Sequence, residues 1–165
     1  LLLATLREVG AWRASVDVIG IGRGVVDRAA EVRREEVNAG RAPGWVVDGV
    51  NVGAAAEDGG TYENLRAERW WKVRERFEAG TIDIDPLDED LAAELASIRF
   101  DRTSRGRLKI ESKKEAMARG VRSPNRADAL MLAPDVDVVT LSSIGNAAPV
   151  SVGEGESYWW RSWSG

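Results

Sequence analysis

The sequence predicts an α/β domain. Short apolar runs of strand length alternate with longer amphipathic ones, glycines stand where those runs end, and 165 residues with 44 % apolar content are enough for one packed core but not two. The order helix, strand, helix, strand is that of a parallel sheet covered by helices.

Leu1 to Val9 reads as the end of a helix, stopped at Gly10. In the stretch 13–19, Val16, Val18 and Ile19 read as a buried strand, and Gly20-Ile21-Gly22-Arg23-Gly24 leads into a helical run through Val25, Val26, Ala29, Ala30 and Val37. Trp45-Val46-Val47 is expected as a second strand. Tyr62, Leu65, Trp70, Val73 and Phe77 keep a period of roughly 3.6, with Gly80 where a helix C-terminus wants it. Ile82 and Ile84 suggest a short extended piece. Asp85 is expected to cap the next helix, with Pro86 at its first position and Leu91, Leu95 and Ile98 on one face. Ile98/Phe100 and Leu108/Ile110 alternate about a turn containing Gly106, the pattern of a β-hairpin with basic residues on its wet face. Ser123-Pro124 opens a helix over 125–133, which Pro134 stops. Beyond it, Val136, Val138, Val139 and Leu141 suit a last strand, while Tyr158, Trp159, Trp160 and Trp163 require an apolar partner.

The chain has no cysteine and no histidine, so disulfide scaffolds, thiolate or imidazole zinc sites and mechanisms using a histidine base are excluded. The apolar start Leu1-Leu2-Leu3-Ala4-Thr5-Leu6 is far shorter than a membrane span and lacks a basic leader, so a soluble fragment of something longer, with no membrane partner, is expected. Residues 99–126 hold ten basic residues against three acidic ones, a local balance of +7 inside a chain of net charge −4. A basic stretch on an acidic body suits contact with phosphates, although a solvated loop and hairpin would have the same composition.

Two acids stand out. Asp17 sits between Val16 and Val18, where an unpaired carboxylate would lose several kcal/mol of solvation. Either a cation meets it, or it accepts N–H groups from the glycine turn. Asp128 is the one acid in the apolar run Ala127 to Ala133, and its alternatives are a metal ligand or an ion pair with Arg126 or Arg122. Two such acids, one on a strand and one on a late helix, suit a hard cation such as Mg²⁺ or Mn²⁺, and two such ions can cleave a phosphodiester. A rival reading is a Rossmann-like dinucleotide site at Gly20-x-Gly22 with Asp48 after the next strand. Its third glycine is missing, since Val25 stands there.

Four blocks together resemble the C-terminal nuclease domain of phage terminase large subunits: Val16 to Asp27, Tyr62 to Trp71, Gly106 to Lys113, and Ser123 to Leu130. The resemblance covers roughly 1–133. It implies a ribonuclease-H-like mixed sheet flanked by helices, truncated at its N-terminus, over residues 1–141, with a tail over 142–165. It further implies an endonuclease in the host bacterial cytoplasm, cutting concatemeric double-stranded DNA with two Mg²⁺ or Mn²⁺ ions. Portal protein and the small terminase subunit would be its partners.

By the same resemblance, Asp17 and Asp128 are the catalytic and metal-holding acids, the first acid of the family's three lies on a strand before Leu1, and Lys113 matches a lysine near the site. Asn125 stands where many relatives carry another acid. Arg102, Arg105, Arg107, Lys109, Lys113 and Lys114 are expected to contact DNA, through phosphates rather than bases. The incomplete acid set implies at most very weak cleavage by this chain alone, and it leaves a second reading, a catalytically dead prophage remnant serving as a DNA-binding or portal-interacting module.

The charge split yields a measurable expectation. Affinity for duplex DNA should fall steeply with salt, each phosphate neutralised adding about −0.9 to the slope of log K against log salt. Replacing Arg105, Arg107 and Lys109 together should flatten that slope in an anisotropy titration, and an unchanged slope would mean that the hairpin faces away from DNA.

Overall fold

The structure, a computed structural model, describes residues 1–133. Helix α1 (Leu2–Glu8) ends where Gly10 takes a φ of 66°, a conformation costly for any residue with a Cβ. Strand β1 (Arg13–Asp17), helix α2 (Gly22–Asn38) and strand β2 (Val46–Val50) then form a parallel βαβ unit, with Arg13 opposite Val46 and Asp17 opposite Val50. Side chains alternate along a strand. Ala14 and Val47 therefore share the face that Ala29 and Val32 of α2 cover, while Asp17 shares the opposite face with Val50.

Helix α3 (Leu65–Glu78) starts at Asn64, whose side chain accepts the Ala67 N–H at 3.0 Å. The loop after β2 meets the same turn: the Val52 carbonyl accepts from Arg66 N and the Ala54 carbonyl from Leu65 N, both at 2.9 Å. Buried Glu68 pins this loop further, accepting the Glu57 N–H at 2.7 Å with Lys72 3.4 Å away. Helix α4 (Glu89–Ser97) is followed by the antiparallel hairpin of β3 (Phe100–Arg102) and β4 (Leu108–Ile110), which turns at Gly106, φ 77°. Leu108 also bridges Tyr62 in parallel. Helices α5 (Lys113–Ala118) and α6 (Asn125–Leu132) complete the described chain.

Two apolar clusters flank the parallel pair. The larger one joins Val50 and Val52 to Trp70 and Val73 of α3, Leu95 of α4, and Ala127 and Met131 of α6. The smaller gathers Leu6, Ala29 and Trp45. Trp70 and Leu95 are each 1 % exposed, which makes them the centre of the main core.

Two expectations change on contact with the structure. Asp88, not Asp85, caps α4, taking the Leu91 N–H at 3.0 Å. Asp85 instead closes a turn with Pro86, accepting from Leu87 N at 2.9 Å through its side chain and from Asp88 N at 3.0 Å through its carbonyl. Helix α5 was not expected at all, because it is short and none of its residues is buried. Its signal is a capping box, in which Ser112 and Glu115 bond each other's backbone N–H groups. The parallel and antiparallel pairings of a mixed sheet are both present, but among the described residues they form two separate two-stranded sheets. The expected last strand at Val136 to Leu141, the boundary at 141/142 and the aromatic group Tyr158, Trp159, Trp160 and Trp163 lie outside the described residues. No described helix is long and apolar enough to cross a membrane.

Two stability expectations follow from these contacts. Trp70→Ala should cost about 3–5 kcal/mol in urea unfolding, with an intact cap at Asn64 unable to offset it. Arg119 grips Glu111 with two hydrogen bonds of 2.7 and 2.5 Å and reaches the Ser97 carbonyl at 3.2 Å. The Arg119 hydrogen bond holds the Glu111 carboxyl below its usual range. A depressed carboxyl stabilises the fold above its unfolded pKa of about 4.3 and loses that contribution as pH falls through the folded value. Unfolding free energy should therefore decline below about pH 4.3, and Arg119→Ala should decline less steeply there. Equal slopes for the two proteins would remove the pair from the acid transition.

Candidate metal centre

The C-terminal end of β1, the first turn of α6 and the start of α3 enclose a cleft of about 220 Å³. Asp17, Arg66, Lys113, Asn125 and Asp128 supply its polar lining, and Val52 and Met131 its apolar wall. The two acids singled out in the sequence thus line one cleft.

Asp17 reaches it because β1 ends there and because glycine follows. A Cβ at Gly22 would lie 1.8 Å from the Asp17 carbonyl oxygen, so no other residue fits at the start of α2 without moving the strand end. Asp17 also accepts the Ile19 N–H at 3.0 Å, so the turn contact considered for it is present alongside its place in the cleft. Gly24 by contrast has nothing within 4 Å of a built Cβ. Close packing accounts for Gly22 without a bound dinucleotide.

Asp128 is held by neither Arg126 nor Arg122. Arg126 turns to α4, 2.6 Å from Asp88 and 3.3 Å from Asp90. Asp128 meets Lys113 instead, Nζ to Oδ2 at 2.8 Å, and Arg66, NH2 to Oδ1 at 3.8 Å. Its Oδ1 is shut off from solvent and has no hydrogen-bond partner. Arg66 donates from NH1 to the Glu111 carbonyl at 2.9 Å. Burial pulls the Arg66 pKa down and the Asp128 charge opposes that shift, though an arginine this basic stays charged.

Arg66 lies within the block Tyr62 to Trp71, and the sequence alone assigns it no role. A signal was there: counted from Trp70 and Val73, position 66 falls on the same stripe of α3, so a cation stands on an apolar face.

The six basic residues expected to meet DNA differ in their partners. Arg107 pairs with Glu63 at 2.5 Å and Lys109 with its cross-strand partner Asp101 at 3.7 Å. Arg102 donates to the Gly106 carbonyl of its own turn at 2.9 Å, and Lys113 belongs to the cleft. Arg105 at the hairpin tip and Lys114 on α5 are exposed.

Oxygen donors of the kind Mg²⁺ and Mn²⁺ prefer are present as two carboxylates and the Asn125 amide. Among the described residues no group of three or more Asp, Glu, His or Cys is placed to hold a metal ion. The cleft also carries its own countercharge, Arg66 and Lys113 against Asp17 and Asp128.

No family model and no curated protein sequence matches the chain. Solved structures do. The nuclease domain of the large terminase subunit gp2 of bacterial virus Sf6 is similar at a TM-score of 0.57 and 24 % identity, over 78 % of this chain and 66 % of that one. A lysine-to-alanine variant of that domain with manganese matches at 0.57 and 23 %, over 78 % and 67 %, and the variant with calcium at 0.56 and 23 %, over 78 % and 66 %. The chain therefore has the ribonuclease-H-like α/β fold of that domain and spans about two thirds of its length.

The glycine geometry separates packing from ligand binding. Gly22→Ala should destabilise the fold by about 1–3 kcal/mol, whereas Gly24→Ala, in open space on a helix, should be neutral or stabilising by up to about 1 kcal/mol. Paired urea melts decide it, and a Gly22→Ala protein as stable as the parent would mean that the β1–α2 junction is not packed as described.

Proposed function

We propose that this chain is a metal-dependent endonuclease domain acting on double-stranded DNA, of the kind that large terminase subunits use to cut packaged phage genomes. One observation carries the reading: on a terminase-nuclease fold, the two acids that interrupt apolar segments, Asp17 and Asp128, line a single cleft. Asp17 and Asp128 would hold Mg²⁺ or Mn²⁺, with the Asn125 amide as a neutral oxygen donor. A bound divalent ion activates water and stabilises charge on a phosphoryl oxygen.

The chain's own residues prepare for that. Val52 and Met131 give the cleft an apolar wall that strengthens the charges within it. Arg66 holds a positive charge against Asp128 from the protein side, and Lys113, 56 % exposed in its side chain, can leave Asp128 for water or a phosphate at small cost. Arg105 and Lys114 are the expected cations left free to meet the DNA backbone outside the cleft. Portal protein and the small terminase subunit are the partners, and the host bacterial cytoplasm the setting, that this reading implies.

A second reading keeps one observation on its side. Because Lys113 already neutralises Asp128 at 2.8 Å, the same cleft would suit an inert DNA-binding or portal-interacting remnant. Plasmid nicking separates the two. With Mn²⁺ the chain should convert supercoiled plasmid to the open circle, and Asp128→Asn, which keeps the side chain's shape, should slow that conversion by at least about 100-fold. Neither Mn²⁺ uptake nor nicking by the unaltered chain would hand the case to the remnant.

A further inference from the structure

We infer that the turn between β1 and α2 is a DNA wedge: Ile21, at the lip of the cleft, enters the minor groove of duplex DNA and parts one base step. The inference rests on the reading above that the cleft receives duplex DNA, and it names a surface that would hold the duplex there.

Ile21 is 94 % exposed, Ile19 58 % and Val25 42 %, so three aliphatic side chains meet water within one short stretch. The backbone beneath them is constrained. Gly20 turns the chain at a φ of 80°, and Gly22 sits so close to the Asp17 carbonyl that a Cβ would stand 1.8 Å from its oxygen. Ile21 is held between these two glycines. It also stands at the N-cap of α2 with no side-chain hydrogen bond to the helix, where Ser, Thr, Asp or Asn would serve the fold better. An aliphatic residue in water at a cap works against local stability, and such departures concentrate where a partner is met.

Position and charge point to DNA as that partner. Asp17, which lines the cleft, accepts the Ile19 N–H at 3.0 Å. Ile19 Cδ1 lies 3.5 Å from where a Cβ on Gly53 would stand, and Gly53 follows the cleft residue Val52. The aliphatic group therefore borders the cleft wall. Arg23 between Ile21 and Val25 is exposed, has no ion-pair or hydrogen-bond partner among the described residues, and shares the first turn of α2 with no acid. Minor-groove proteins combine these two elements, an aliphatic side chain that parts a base step and an arginine beside it.

A short duplex carrying 2-aminopurine, which brightens when unstacked, tests this on the 165-residue chain with Ca²⁺ in place of Mn²⁺. Binding should raise the fluorescence. Ile21→Ser, which supplies a better cap, should melt no lower than the parent, abolish the rise and weaken binding by about tenfold, as loss of one buried aliphatic side chain would. Ile21→Leu should retain both. Duplex bound without brightening, or brightening that Ile21→Ser preserves, would overturn the wedge and leave the nuclease reading to the plasmid assay. Brightening by a chain that neither takes up Mn²⁺ nor nicks plasmid would support the wedge and sink the nuclease. No binding of duplex at all would sink both. Should Ile21→Ser leave DNA binding unchanged and turn a dimer into a monomer in sedimentation, the lip belongs to a second copy of the chain and the wedge falls.

Discussion

The Arg66 guanidinium reaches three parts of the fold that already meet through the main core and the Tyr62–Leu108 bridge. It leaves α3 among the apolar residues of the main core, bonds the carbonyl of Glu111 just past β4, and ends beside Asp128 at the start of α6. Burying a guanidinium is unfavourable unless acceptors surround it, so the cost is offset only when all three segments are in place. Hairpin, α3 and α6 are thereby held in one arrangement, with the Asp128 carboxylate at its vertex.

On the other side of the cleft the constraint is steric. Gly22 lets α2 begin against the carbonyl of Asp17, and Gly49 fills the neighbouring position, where a Cβ would stand 2.6 Å from Val18 Cγ1. The strand that delivers Asp17 therefore ends where it does because two residues lack side chains. Charge fixes one wall and the absence of atoms fixes the other.

This contrast explains what the sequence disclosed. Asp17 and Asp128 were legible because each breaks an apolar segment, and burial of a lone carboxylate demands an explanation in any fold. The helices around Trp70 and Leu95 were legible by period. Arg66 was passed over because a periodicity count registers apolar positions and skips a cation on the same stripe. The pairing of Arg107 with Glu63 could not be read at all, since it follows from the bridge between Tyr62 and Leu108, a contact between segments far apart in sequence. A run of basic residues says how much charge is present; only tertiary partners, such as Glu63 for Arg107 and Asp101 for Lys109, say how much of it is already paired. Helix α5 was hidden by its exposure and visible only in the Ser112/Glu115 box.

Helix α6 has no capping side chain of its own, and Glu94 of α4 accepts the Ala127 N–H at 2.9 Å in its place. With Arg126 clasped to Asp88 as well, an eight-residue helix is steered at its first turn by another helix. The carboxylate next to that turn inherits the steering. Drift in the sequence of α4 would thus retune the cleft from outside, shifting Asp128 along the α6 axis while every residue lining the cleft stayed the same.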